Sequence, residues 1–312
     1  MLVKAQSRFN RLKEVTERLI YSAYRKSNYF VTCTGKTDGA GAQIQAVLST
    51  LLYAHEFGLQ YVHTPFQELA HNDENDPNFA QQWEDFVNLG FDEPSVYQLD
   101  LTNFKTVSVR SNLDKIDLSV AEPKTLFVVT HCHQFADRYP HRYSKLLKRF
   151  QYKYQQSLHP KVTEFDPTQF NIALHVRRGD VNQTTNCERY TTNQTLKALI
   201  ENISDLLAPF NVKTQFHLYS QGQIEDFPDL DHIVFHLNEP AMKTFHHLVQ
   251  ADVLLMAKSS FSYSAALFSQ GIKLYSPFWH RPLRDWITVQ PDGEFDSKQF
   301  KVLFTNIARN RY

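Results

Sequence analysis

One stretch constrains the chain more than any other: Phe170, Asn171, Ile172, Ala173, Leu174, His175, Val176, Arg177, Arg178, Gly179 and Asp180. Its first half reads as a short buried strand, with Phe170, Ile172, Leu174 and Val176 alternating with Asn171, Ala173 and His175. The apolar run then stops, and two arginines, a glycine and an aspartate follow. In open α/β sheets, ligands sit beyond the carboxyl ends of the strands. Two guanidiniums delivered there form a fork for a phosphate or diphosphate, each charge-assisted bond contributing about 1.5–3 kcal/mol. Gly179 permits a sharp backbone turn. Asp180 either holds an arginine in place or accepts a proton.

Strands and helices alternate on both sides of this stretch. Residues 1–27 carry Phe9, Leu12, Val15, Leu19 and Ile20 at helical spacing, which predicts an amphipathic helix packed on its own domain. Residues 29–33 predict a first strand. Residues 34–43 follow it with three of the chain's nine glycines, and residues 44–57 predict a helix. Strand, glycine loop and helix together aim backbone N–H groups at an anion or substrate, which singles out Gly39 and Gly41. The loop is not a P-loop, because no glycine stands five residues before Gly35. Asp38, beside it, is a candidate general base or a cap of the helix. Residues 58–66 predict a second strand. The acidic tract from 68 to 100 reads as solvated loop, with a helix around Trp83, Phe86, Val87 and Leu89, and is assigned no metal. Residues 126–131 predict a third strand. His131, Cys132 and His133 at its end point alternately to opposite faces, which favours a cleft or packing role over zinc. A basic, tyrosine-rich helix is predicted over 139–154, and residues 160–167 form the linker between two halves.

In the second half, helices are predicted over 192–207 and 244–251, and strands over 215–220, 233–237, 251–258 and 272–275, the last taken as the final strand. Ser259, Ser260, Phe261 and Ser262 open a helix directly after the strand at 251–258. Hydroxyls and free N–H groups at a helix start make an anion site. The aromatic, basic segment of Phe278, Trp279, His280, Arg281 and Pro282, with Trp286, is expected to close over the cleft. Residues 296–312 predict a last helix packing back across the first half.

The chain has 312 residues, enough for two domains. Lys plus Arg number 33 and Asp plus Glu number 33, a balance that argues against general nucleic-acid binding. Cys33, Cys132 and Cys187 form neither a disulfide framework nor a metal-ligand spacing, so reduced thiols are expected. Sequons stand at Asn182, Asn193 and Asn202, but no secretory signal precedes them and they are not read as glycosylated. There is no run of about 20 apolar residues, hence no transmembrane segment. A cytoplasmic location is the expectation.

The string His175-x-Arg177-Arg178-x-Asp180 resembles the nucleotide-sugar motif of the GDP-fucose-dependent fucosyltransferases, the α1,2, α1,6 and protein O-fucosyl groups. The glycine loop is similar to that superfamily's first glycine loop, except that Ala42 stands where an Asn is expected. Ser259, Ser260, Phe261 and Ser262, with Asp252 upstream, are similar to its serine-rich motif, and Ser220 ends a strand where the family also carries serine. The resemblance implies an α/β fold of two Rossmann-like domains facing a cleft, the GT-B glycosyltransferase architecture. Residues 1–165 would form the acceptor side and 166–312 the nucleotide-sugar side. His175 and Asp252 would read the base, Ser259 and Ser260 would meet the diphosphate, and Phe261 would be a further donor-binding residue. Arg177, helped by Arg178, would neutralise the leaving group. Asp38, or else Asp180, would take the acceptor proton. The implied reaction is metal-independent, inverting transfer of fucose from GDP-fucose to a hydroxyl of a glycan or glycoprotein, with no cofactor. The same scaffold serving a UDP-sugar such as UDP-xylose is one alternative. A non-catalytic nucleotide- or carbohydrate-binding protein is another, favoured by Ala42. A nucleotide hydrolase would need a P-loop or an acidic metal cluster.

Overall fold

A computed structural model describes residues 28–72, 74–109, 116–119, 121–130 and 132–311. The expected N-terminal helix and His131 lie outside them. Two parallel sheets with helices on their faces make an α/β fold. The first sheet holds β1 (Tyr29–Cys33), β2 (Gln60–Tyr61), β3 (Lys105–Val109) and β4 (Thr125–Val129), in the order β2-β1-β4-β3. The second holds β5 (Phe170–His175), β6 (Thr214–Ser220), β7 (Ile233–Leu237), β8 (Val253–Met256), β9 (Ile272–Tyr275) and β10 (Ile287–Thr288), in the order β10-β9-β8-β5-β6-β7. Read from β7, that is the 3-2-1-4-5-6 order of a dinucleotide-type sheet, and its direction reverses between β5 and β8. The strand at 170–175 is therefore central. Helices cover both faces of the sheet, so its residues are buried continuously up to Leu174 rather than in alternation.

Eight helices lie on these sheets among the described residues: α1 (Ala40–Phe57), α2 (Phe79–Val87), α3 (His133–Arg138), α4 (Leu147–Gln155), α5 (Asn193–Leu207), α6 (Ala241–Gln250), α7 (Ser260–Phe268) and α8 (Ser297–Arg311). The helix predicted over 139–154 is divided, with a 3-10 segment at Pro140–Lys145 preceding α4. The 58–66 strand is only two residues long, and β3 and β10 were not foreseen. β3 is an edge strand whose Lys105, Thr106 and Ser108 stay exposed, so it shows little hydrophobic signal.

The halves are not separate bodies. One apolar cluster runs from Leu48, Leu51 and Leu52 of α1 to Leu248 of α6 and Tyr263 and Ala266 of α7. A second cluster packs Leu199 and Ile203 of α5 and Phe300 and Phe304 of α8 against the other face of the second sheet. The last helix thus rests on the second sheet, with the Phe304 ring 5.2 Å from that of Phe170, and not across the first half.

Candidate functional site

The arginine string leaves the end of β5 at the point where the sheet order reverses. Gly179 takes φ 72°, and a Cβ there would lie 2.5 Å from Gln221 Oε1, so the turn needs glycine. Beyond the neighbouring β8, Ser259 caps α7, its Oγ accepting the Phe261 N–H at 3.2 Å. Arg177 Nη1 reaches Ser259 Oγ at 3.4 Å. The arginine string and the serine cap therefore converge at one place, although 82 residues separate them in the chain.

The two arginines have different surroundings. Arg177 is partly exposed and forms an ion pair with Asp180. Arg178 is only 8% exposed. Its guanidinium donates to the carbonyls of Arg177 (2.9 Å) and Thr191 (3.1 Å) and to Asn193 Oδ1 (2.9 Å). It also lies 4.4 Å from the Tyr190 ring centroid and 5.1 Å from that of Phe227. Arg178 is committed to holding the 177–193 loop, so the expected two-arginine fork is not formed by this pair. Asp180 braces Arg177, not Arg178. The Arg177 hydrogen bond is the first cause that holds its carboxyl below the usual range. Partial burial opposes it, and the charges of Arg177, Arg189 and His71 add to it.

Arg189 supplies a second guanidinium near Arg177. It donates to the Lys258 carbonyl at 3.1 Å and stacks on Trp279, 5.1 Å from the ring centroid. Through this stacking Trp279, which is 54% exposed, brings the aromatic segment against Arg189. His175 turns its ring against Phe261 at 5.5 Å, and its buried Nδ1 has no hydrogen-bond partner. Burial, and then the Arg177 charge, push its imidazole down to about 3, so it is neutral at ordinary pH. Ser220, at the end of β6, donates to the Gln221 carbonyl at 2.8 Å. Asp252 does not join this group. It precedes β8, and its carboxylate accepts the Asn171 N–H at 2.7 Å near the start of β5. That is the opposite edge of the sheet, about 13 Å away at 3.3 Å per strand residue.

The glycine loop turns out to be a helix start. Gly39 is the N-cap of α1, and Gly41 lies in its first turn. A Cβ on Gly41 would meet Phe261 Cα at 2.4 Å and Phe261 N at 2.6 Å, and Ser264 Oγ donates to the Gly41 carbonyl at 2.7 Å. Gly41 thus serves the close approach of α1 and α7. Asp38 is half-exposed and paired with Lys36 at 2.9 Å. A hollow of about 130 Å³ opens beside it, lined by residues that include Thr34, Lys36, Thr37, Thr64 and Glu68. His71 takes the left-handed φ of 64° and sits over Gly39, its Cδ2 3.0 Å from where a Cβ would be. Among the described residues, no three His, Cys, Asp or Glu side chains converge to hold a metal ion, and no helix is long and apolar enough to cross a membrane.

No protein-family model and no curated protein matches the chain. Solved structures similar to it include an Arabidopsis thaliana FUT1 mutant in complex with GDP, at 14% identity and TM-score 0.40, covering 86% of this chain and 76% of that one. Also similar are the E. coli heptosyltransferase WaaC with ADP (11%, TM-score 0.36, covering 90% and 98%) and the Bradyrhizobium fucosyltransferase NodZ (13%, TM-score 0.33, covering 80% and 95%). Likeness at this level says nothing of chemistry, which has to come from the site itself.

The site offers one partly exposed guanidinium, a second beside it, and a hydroxyl-capped helix start, all at the carboxyl ends of parallel strands. That arrangement stabilises an anion. Two neighbours of the site escaped the sequence-based selection. Arg189 sits in a 3-10 turn without a motif, and His71 in a polar loop. Charge and residue type were their only local signal.

Proposed function

We propose that the chain is a nucleotide-sugar-dependent glycosyltransferase of GT-B type, transferring fucose from GDP-fucose to a hydroxyl of a glycan or glycoprotein with inversion and without a metal. The observation that carries this reading is the approach of Arg177 Nη1 to Ser259 Oγ at the switch point between β5 and β8. A diphosphate seated there would meet Arg177, Arg189 and the start of α7, and charge growing on the leaving group would be neutralised by groups already in place. His175, neutral and beside Phe261, would contact the donor. Asp38, paired with Lys36 and open to solvent on the first-half side, is the proposed base, whereas the ion pair of Asp180 is with Arg177, the group assigned to the leaving diphosphate.

The test has two parts. Thermal shift with GDP-fucose, GDP, UDP-xylose and UDP should show stabilisation by the GDP compounds, about 2.7 kcal/mol at a hundredfold excess over Kd. A response to the UDP compounds alone would transfer the reading to the UDP-sugar alternative. Arg177→Ala should lower transfer or donor hydrolysis by about 10²–10³-fold, and turnover near wild type would remove Arg177 from the mechanism. Binding without hydrolysis or transfer to any acceptor would favour the non-catalytic reading, which the pairing of Asp38 with Lys36 also suits.

A further inference from the structure

Arg189 is fixed in place without a carboxylate partner. Its Nε donates to the Lys258 carbonyl at 3.1 Å, and Lys258 Nζ donates back to the Glu188 carbonyl at 3.0 Å, so the turn at Cys187–Arg189 is clasped to that strand end in both directions. The guanidinium carbon stands over the Trp279 ring, 5.1 Å from its centroid. Lys258 directly precedes Ser259, the cap of α7, whose Oγ accepts from Arg177 Nη1 at 3.4 Å. Arg177 and Arg189 therefore grip consecutive residues at the mouth of one helix. Among the described residues, the bond from Nε is the only side-chain hydrogen bond of Arg189, which leaves both Nη groups for a ligand. Asp180 gives its ion pair to Arg177, and no described carboxylate closes one with Arg189. Burial, and then the charge of Arg177, push the Arg189 guanidinium below its ordinary value, while Asp180 and Glu188 pull the other way. Two cations are thus held together at the positive end of a helix, and one of them lacks a counter-charge.

We propose that Arg189, braced by Trp279, holds the second phosphate of the nucleotide and makes the site select nucleoside diphosphates over monophosphates. This rests on the nucleotide-sugar reading above. A guanidinium stacked on a ring keeps its edge free for hydrogen bonds in its own plane, the geometry that matches two phosphate oxygens. Arg177 and the N–H groups at the start of α7 suffice for one phosphate. Arg189, on the residue before the cap, has its Nη groups free for the next. A nucleoside monophosphate has nothing to place there and leaves the two like charges facing each other. Arg189 is the specificity-determining residue. Trp279 is a positioning residue, acting through the guanidinium it supports.

The test is calorimetric titration of the full chain with GDP and GMP, or with UDP and UMP if the uridine nucleotides bind better. Wild type should prefer the diphosphate. Arg189→Ala should weaken GDP about ten- to a hundredfold and GMP little, so that the preference collapses. Arg189→Gln keeps an N–H for the Lys258 carbonyl and loses the charge. It should show the same collapse, and it serves as the second arm if Arg189→Ala fails to fold. Trp279→Ala should lower the preference as well, and Trp279→Phe, which restores a ring under the guanidinium, should bring it back. A purely structural role would weaken both nucleotides alike. Equal losses for GDP and GMP, no loss for either, or a wild type without preference would overturn the assignment of Arg189 and leave the transferase reading standing. A wild-type preference in Trp279→Ala would overturn the brace. Absence of binding by both GDP and UDP would overturn the transferase reading and this inference with it.

Discussion

Arg177 and Arg178 are chain neighbours with opposite surroundings, and the difference sets what each substitution does. Arg178 makes three hydrogen bonds inside the protein and lies over two rings. Removing it leaves buried carbonyls unpaired and the 177–193 loop unsupported. Arg178→Ala should therefore lower unfolding free energy by roughly 2–4 kcal/mol, read from denaturant midpoints, while Arg177→Ala should lower it by less than about 1 kcal/mol. Equal losses would contradict the division of roles. Asp180 gives a second contrast. Its carboxyl is held down mainly by Arg177, so it is a weak proton acceptor. Asp180→Asn should cost less than about tenfold in turnover, against the 10²–10⁴-fold typical of a general base. Asp38→Asn should show the larger loss. A larger effect at Asp180 would reverse the assignment. At this scale the sequence made the residue types legible but not their environments. Asp252 was plausible by order along the chain, yet strand direction puts it at the wrong edge of the sheet.

At the scale of elements, the contact between α1 and α7 organises the site. α1 is buried along nearly its whole length up to Ala54, because it lies between its own sheet and α7. Gly41 permits that approach, with Phe261 backbone where a side chain would stand. Gly41→Ala should push the helices apart, lowering stability by about 1–3 kcal/mol. It should also weaken GDP binding, because Ser259, Ser260 and Phe261 belong to the displaced helix start. Unchanged binding in a folded Gly41→Ala protein would separate the helix contact from the site. The glycines were legible as a loop-to-helix junction. That the junction faces a helix about 220 residues further on was not, because close packing leaves no periodic trace in either segment.

For the whole molecule, the buried histidines set a pH limit. Burial is the first cause that pushes His175 down to about 3 and His217 and His246 down to about 4. In the unfolded chain these groups titrate near 6.5. Between those values the unfolded state binds more protons, so their contribution to stability is complete above about pH 6.5 and is lost as pH falls toward 4. The urea midpoint should drop between pH 7 and pH 4.5, and His217→Gln should flatten the decline if it folds. A midpoint that stays constant would show that these rings remain solvated. The sequence by itself determined the alternation of strands and helices, the central strand with arginines at its end, and the serine-opened helix. Those are patterns of neighbouring residues, and backbone geometry turns them directly into elements. Tertiary structure alone decided that Arg178 is locked inside, that Arg189 reaches the site, that α8 rests on the second sheet, and that Asp137 meets His280 across 143 residues of chain. The physical reason is that a local pattern identifies which face of a segment is apolar, whereas the groups that meet on that face are set by the packing of the whole chain.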